Sequence, residues 1–290
     1  MNYLIQLTAT GIAIGAIYGL IAMAFALVYK STGLINFAQG EVAMMVAYLT
    51  WAFAGQFGSG LIGVAVFTIV AGMVLGLVIE RLLIRPMMGE PIFSIVLVTI
   101  GLAVILRSLV LLIWDASPHP MGIEAASELI RIGNLNMRAG QVFVIGLMGA
   151  LLVASWAFFR YSRYGIAMRA VADDDRTALL MGVNTARVQA VAWAASSTIA
   201  GMAGVCFAAL YDISPDIYSI GLKAFPAAIL GGLDAVLGSA FGGIIVGLIE
   251  NMTGGYMSST IKEISGFVLI VGVLMIRPSG LFGQREIERV

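Results

Sequence analysis

The sequence predicts an all-α fold, a polytopic bundle of about eight to ten transmembrane helices with short broken ones among them. Three observations predict it. Of the 290 residues, 60% are hydrophobic and 11% are charged, and the mean hydropathy is +1.01; a soluble domain carries about 25% charged residues. Apolar runs of about twenty residues recur along the chain, the length a hydrocarbon layer of about 30 Å demands of a helix. The runs are continuously apolar rather than alternating, which excludes a transmembrane β-barrel. A formal net charge of zero gives no bulk attraction to nucleic acid or to acidic surfaces.

The spans follow in order. Tyr3–Tyr29 begins almost at Met1 with neither a basic leader nor an Ala-x-Ala site, so it reads as a retained span rather than a removed signal. Val42–Ala54 is short and crosses only by borrowing residues between Phe37 and Glu41. Leu61–Glu80 and Ile92–Trp114 flank Arg81 and Arg85. Arg107, seven residues before Trp114, is expected to snorkel toward headgroups rather than pair inside the bundle. The segment Asp115–Gln141 carries Pro118 and Pro120, a short expected helix around Glu124–Ile132 and a turn at Gly133-Asn134. Val142–Phe159 and Val188–Tyr211 bracket a charged insert. Phe225–Ile249 is interrupted by Gly231-Gly232 and Gly238, and Ile264–Ile276 is the last span.

Basic residues set the orientation. Arg81 and Arg85 in one loop, and Arg160, Arg163, Arg169, Arg176 and Arg187 in another, fall on the same side, the expected cytoplasmic one. Arg277, Arg285 and Arg289 belong there too, but the spans between give the wrong parity. Splitting Phe225–Glu250 into two short helices, broken between Gly231 and Gly238, repairs it; broken helices survive at membrane depth when buried in protein.

Small residues recur at four-residue spacing (Gly11, Gly15, Gly19; Gly72, Gly76; Gly238, Gly242; Gly243, Gly247). They read as ridges that let helix backbones approach closely. Cys206, the single cysteine, sits among apolar residues and reads as a packing residue. One cysteine allows no internal disulfide and no cysteine cluster for a metal, and one histidine, His119, supports neither a metal site nor a catalytic dyad.

The run Arg160 to Arg187 is a charged island between two spans. Ile166–Ala172 reads as a short helix with Met168 and Val171 on one face. Asp173, Asp174 and Asp175 supply an N-cap and first-turn acid for a second helix, about Asp174–Met181. Gly182 stands where a C-cap glycine belongs, and Asn184 or Thr185 caps the next span. Helices this short need a surface to pack on. Lying on lipid is the alternative, poorly served by three adjacent acids.

Several segments together carry a resemblance. They are Arg160-Tyr161-Ser162-Arg163-Tyr164-Gly165; Arg169-Ala170; Ala172-x-Asp174; Leu180-Met181-Gly182-Val183-Asn184; Tyr29 to Glu41; Gly221 to Phe225 with Ala228 to Leu233; and Arg277 to Gly283. In this order they resemble the permeases of ABC importers for branched-chain amino acids, in particular the first, H-type, permease subunit. The resemblance covers essentially the whole chain, so residues 1–290 read as a single transmembrane permease domain with a coupling loop at 160–187. Many ABC importers begin the coupling motif with Glu-Ala-Ala; here Thr177-Ala178-Leu179 takes that place and only the glycine matches.

The resemblance implies that Arg169, Asp173, Asp174, Arg176, Leu180 and Gly182 couple to an ATPase. It implies a second homologous permease subunit, two cytoplasmic ATPase subunits and a periplasmic or extracellular substrate-binding protein, all at the inner membrane of a prokaryote. The chain itself has no Gly-rich Lys-Ser/Thr phosphate loop, no Gly-x-Ser-x-Gly and no His-Glu-x-x-His, so no catalytic residue or cofactor is expected in it and ATP belongs to the partners. Urea or short amides are the alternative cargo, and an ion-coupled secondary transporter the alternative class.

Three polar residues are candidates for the translocation path. Asn36 and Gln39, three apart, share a helical face and either meet an amino-acid zwitterion or tie helices together. Asp234 follows the Gly231-Gly232 break and is either a path residue or a solvated N-cap for the next helix. Glu41 is expected to mark a boundary or to partner Lys30.

Overall fold

The computed structural model describes residues 2–283 apart from 59, 123–125, 127, 133 and 134. The expected helix at Glu124–Ile132 falls partly, and the turn at Gly133-Asn134 and the basic residues Arg285 and Arg289 fall wholly, outside the described residues. The long helices are α1 (Asn2–Thr32), α2 (Gln39–Phe57), α3 (Leu61–Ile79), α4 (Ile92–Trp114), α5 (Ala139–Tyr161), α8 (Thr185–Tyr211), α10 (Val236–Tyr256) and α11 (Ser259–Ile276). Between them lie α6 (Arg163–Asp173), α7 (Asp175–Leu180) and α9 (Tyr218–Gly231). Among the described residues seven helices are long and apolar enough to cross a membrane, so the protein is a multi-pass, all-α membrane bundle.

The differences from the expected spans have local causes. α2 begins at Gln39, so it does borrow polar residues at its start and reaches 19 residues. The glycine-rich interruption closes at Gly231, and α10 restarts at Val236 with 21 residues, a full span rather than a short half. α9 is the short piece, with 14 residues. The break restores the parity that basic residues demanded. In the segment between α4 and α5, Leu129–Ile132 is a strand (β1) paired antiparallel with Leu135–Arg138 (β2), where a helix was expected. Ile130 and Ile132 are β-branched and two residues apart, which suits a strand.

α1 is the central helix. It packs mainly on α10, and the four-residue glycine ridge is the reason. A Cβ on Gly15 would stand 2.8 Å from the Cα of Ile244, and one on Gly19 2.6 Å from the carbonyl oxygen of Ala240. Gly72 and Gly76 do the same for α3 against α8 at Thr198 and Ala194. Backbones at this separation maximise dispersion contact where lipid offers no hydrophobic drive between helices. Cys206 is buried in this packing, as its apolar context suggested.

Both ends of the bundle are tied by polar contacts. At one end, Tyr3 donates to the Gly255 carbonyl (3.0 Å), Gln6 to that of Asn136 (2.6 Å), Trp51 to that of Pro120 (3.1 Å) and Arg138 to that of Leu210 (3.1 Å). His119 and Ile213 exchange two backbone bonds there. The other end gathers the end of α1, the 160–187 loop, the Gly231–Val236 break and Arg277 around one cavity. The 160–187 loop and Arg277 thus share an end, as the orientation argument required.

Candidate functional site

Three arrangements stand out: the charged loop with its cavity, a buried amide network where α1 turns into α2, and an ion pair inside the bundle.

The loop is built from caps. The Ser162 side chain accepts from the Tyr164 N–H (3.2 Å) and starts α6. Asp174 is the N-cap of α7: its carboxylate accepts from the Thr177 N–H (3.2 Å) and hydroxyl (2.6 Å). Helix α7 therefore begins at Asp175, one residue later than the acid run suggested. Gly182 has φ +85°. Its N–H donates to the Leu179 carbonyl (3.0 Å) and the Val183 N–H to that of Ala178 (3.0 Å), a Schellman closure that satisfies the helix's last acceptors. Asn184 then caps α8 by accepting from the Arg187 N–H (3.0 Å).

The apolar side of the loop faces the bundle. Met168, Val171 and Ala178 are buried with Val188 and Ala192, against Phe158 and Phe159. This answers the need of short helices for a surface: the chain itself supplies it for α6. The tip is different. Leu179, Leu180 and Met181 are 60%, 86% and 81% exposed, contiguous and apolar. The sequence-predicted coupling residues thus divide. Leu180 and Gly182 lie at the tip, whereas Arg169, Asp173 and Asp174 line a cavity of about 1330 Å³ at the foot of the loop. The side chain of Arg176 lies outside the described residues.

That cavity is shared by Lys30, Gln189, Asp234, Arg277 and Ser279. Lys30 donates to the Asp234 backbone carbonyl (3.0 Å) and sits 5.6 Å over the Phe159 ring. Lys30 therefore serves α1, the end of α5 and the 232–235 break, and does not partner Glu41. Asp234 is half-buried on the cavity wall and is not the cap: α10 has Ala235 at its N-cap, one residue on. Residues 281–282 close the same region. The N–H groups of Leu281 and Phe282 donate to the carbonyls of Leu230 (2.8 Å) and Gly231 (3.2 Å), which α9 leaves unsatisfied at its end.

Asn36 and Gln39 are fully buried and bonded to one another, Asn36 Nδ2 to Gln39 Oε1 at 2.9 Å. Asn36 Oδ1 accepts from the Ala38 N–H (3.1 Å). Gln39 Nε2 reaches the Ser196 hydroxyl (3.1 Å), which donates to the Ala24 carbonyl (2.8 Å). The network joins α1, α2 and α8 and fixes the non-helical Gly33–Ala38 turn inside the bundle. Buried amides at this depth are stable because each has a partner.

The ion pair was not legible as such. Glu41, 5% exposed, accepts from Arg107 Nη2 at 2.5 Å, and the Arg107 guanidinium lies 3.4 Å over the Tyr218 ring. Arg107 therefore pairs inside the bundle instead of snorkelling. Sequence spacing gave no signal because the partners sit on α4, α2 and α9, far apart in the chain. Two further buried acids are also matched. Glu80 takes a two-pronged contact from Arg85 (3.0 and 3.1 Å), and Glu250 accepts from the Tyr18 hydroxyl (2.9 Å).

Comparison with known proteins agrees with this picture along the whole chain. The family described as branched-chain amino acid transport system / permease component matches residues 7–277. The high-affinity branched-chain amino acid transport system permease protein LivH of Salmonella typhimurium is 31% identical, covering 99% of this chain and 98% of the relative. LivH of Escherichia coli strain K12 shows the same 31% identity and coverage. The permease protein BraD of Pseudomonas aeruginosa is 30% identical, over 100% of this chain and 98% of its own. With a polytopic bundle, a capped loop presenting an apolar tip and a family match from the first helix to the last, this chain belongs to the family of branched-chain amino acid transport permease components.

Proposed function

We propose that this chain is the permease subunit of an ATP-driven importer of branched-chain amino acids in the inner membrane of a prokaryote. The observation that carries the reading is the Leu179-Leu180-Met181 tip, exposed at the end of a loop whose other face is anchored in the bundle. An apolar tip on a rigid base fits a groove on a cytoplasmic partner, which receives no such handle from a protein that only spans. Two ATPase subunits take that place, and ATP is theirs. A second, related permease completes the membrane pathway, and a substrate-binding protein delivers cargo at the opposite end. Lipid surrounds the rest; no nucleic acid is involved.

In this reading Leu180 and Gly182 transmit motion at the tip. Arg169, Asp173 and Asp174 link the loop to the cavity, where Asp234 and Lys30 connect it to the 232–235 break, and the coupling role of Arg176 rests on the family resemblance alone. Asn36 and Gln39 shape the path by holding the Gly33–Ala38 turn. Coupling works only if the tip makes different contacts in the two states of the transporter.

The test is reconstitution. The chain, its second permease and the ATPase pair in proteoliposomes take up leucine only with ATP inside and a leucine-loaded binding protein outside. Uptake by this chain alone, driven by a proton gradient, overturns the reading, as does an assembled complex that imports urea and not leucine.

A further inference from the structure

The geometry points to Glu41, Arg107 and Tyr218 as the place where the transported amino acid is gripped by its two charged ends, an inference that rests on the function proposed above. A buried carboxylate costs several kcal/mol to desolvate, so the presence of Glu41, buried and paired with a part-exposed Arg107, needs a reason. The nearby contact of α2 with α9 is made by the backbones of Gly40 and Gly221, so the pair is not what brings those two helices together. The pair is also incompletely satisfied. Among the described residues Arg107 Nε, itself buried, meets no hydrogen-bond partner, while the side chain as a whole is 38% exposed. A guanidinium offers a planar fork suited to a carboxylate, and here only part of it is used.

The surroundings match the rest of such a cargo. Glu41 and Tyr218 line a small pocket whose other walls include Phe25, Phe37, Leu222 and Phe225. Phe37 and Leu222 are exposed, so the pocket reaches the surface of this chain. A zwitterion with an apolar side chain has a carboxylate for Arg107, an ammonium for Glu41 and the Tyr218 face, and a hydrocarbon body for the four apolar walls. At about 60 Å³ the pocket is too small for an amino acid in this conformation, and Glu41 on its wall is engaged by Arg107. Opening exchanges the internal Arg107–Glu41 contact for two contacts with the cargo's own termini. Charge is conserved in the exchange, and neither residue is left bare in the membrane. A neutral solute such as urea has no matching pair of charges, which makes the cluster a filter as well as a grip.

The experiment uses the complete reconstituted transporter and a photoactivatable diazirine analogue of leucine. Irradiated during ATP-driven turnover, the wild-type chain is expected to carry the adduct around Phe25, Arg107, residues 37–45 or residues 215–225. Glu41→Gln with Arg107→Gln, made together so that no buried charge is stranded, is expected to lower both adduct and leucine uptake by about 10- to 100-fold, the loss of charge-assisted hydrogen bonds. The pair Glu41→Met with Arg107→Met keeps volume and packing, and gives the same loss if the charges act on cargo. Wild-type uptake and labelling in either double variant overturns the inference, as does wild-type labelling confined to other helices. The wild-type map decides the matter even if both double variants fail to insert. Normal ATP-driven leucine import without label at this site defeats only the gripping site; absence of ATP-driven import defeats the function it rests on.

Discussion

Gly40 and Gly221 meet backbone to backbone: a Cβ built on Gly221 would stand 2.6 Å from the Cα of Gly40. This contact seats the start of α9 on the start of α2 and so brings Tyr218 against Arg107. Gly221→Val is expected to force the two helices apart at a cost of about 1–3 kcal/mol. The purified complex then melts at a lower temperature in detergent, and uptake falls with it. Gly101→Ala, at a helical glycine with open space around it, is the control and leaves the midpoint unchanged or raised.

Glu80 is buried and its matching partner is Arg85, held by two hydrogen bonds across one turn of π-helix. Arg85→Ala leaves a carboxylate without its counter-charge and is expected to cost about 3–5 kcal/mol, visible as a sharp drop in inserted protein. Glu80→Gln with Arg85→Gln together restores most of the loss. A single Arg85→Ala variant that accumulates and melts like the parent contradicts the assignment.

Asp174 and Gly182 define the two ends of α7. Asp174→Ala removes the cap on Thr177, a loss of about 0.5–2 kcal/mol. Gly182→Ala meets no steric obstacle but must hold φ +85°, a strain of about 1 kcal/mol for a residue with a Cβ. Both variants are expected to insert at parental levels and to consume more ATP per leucine imported. Measuring that ratio in proteoliposomes checks the point, and an unchanged ratio in both removes α7 from the coupling route.

Leu180 and Met181 contribute almost nothing to the fold of this chain, at 86% and 81% exposed. Leu180→Glu and Met181→Glu are therefore expected to leave thermal stability unchanged within about 0.5 kcal/mol. They are expected to abolish co-purification of the ATPase subunits. Retention of those subunits at parental stoichiometry means the tip docks elsewhere.

Much of the chain was legible in its sequence where the controlling interaction is local. Gly182 needed only its own φ and the turn before it. Asp174 and Asn184 needed only the free N–H groups one turn ahead. The glycine ridges announced close packing because four-residue spacing puts them on one helical face. Errors fell where a distant partner decided the outcome. Arg107 chose Glu41 over headgroups, Lys30 chose the Asp234 carbonyl over Glu41, and Asp234 gave up the N-cap position to Ala235. The strand at Leu129–Ile132 likewise depends on its antiparallel neighbour.

By itself, the sequence determined the class, the order of the spans, the shared side of the basic loops and the caps of the charged insert. Hydropathy over a span and hydrogen bonding over a turn are properties of contiguous residues, so a linear reading captures them. Only the tertiary structure decided which face of the insert is spent on the bundle and which is left for a partner. Only it joined Glu41, Arg107 and Tyr218 from three helices. The physical reason is desolvation: inside the bundle a charge must find whatever opposite charge packing brings near, and that choice is made by helix contacts that no spacing along the chain encodes.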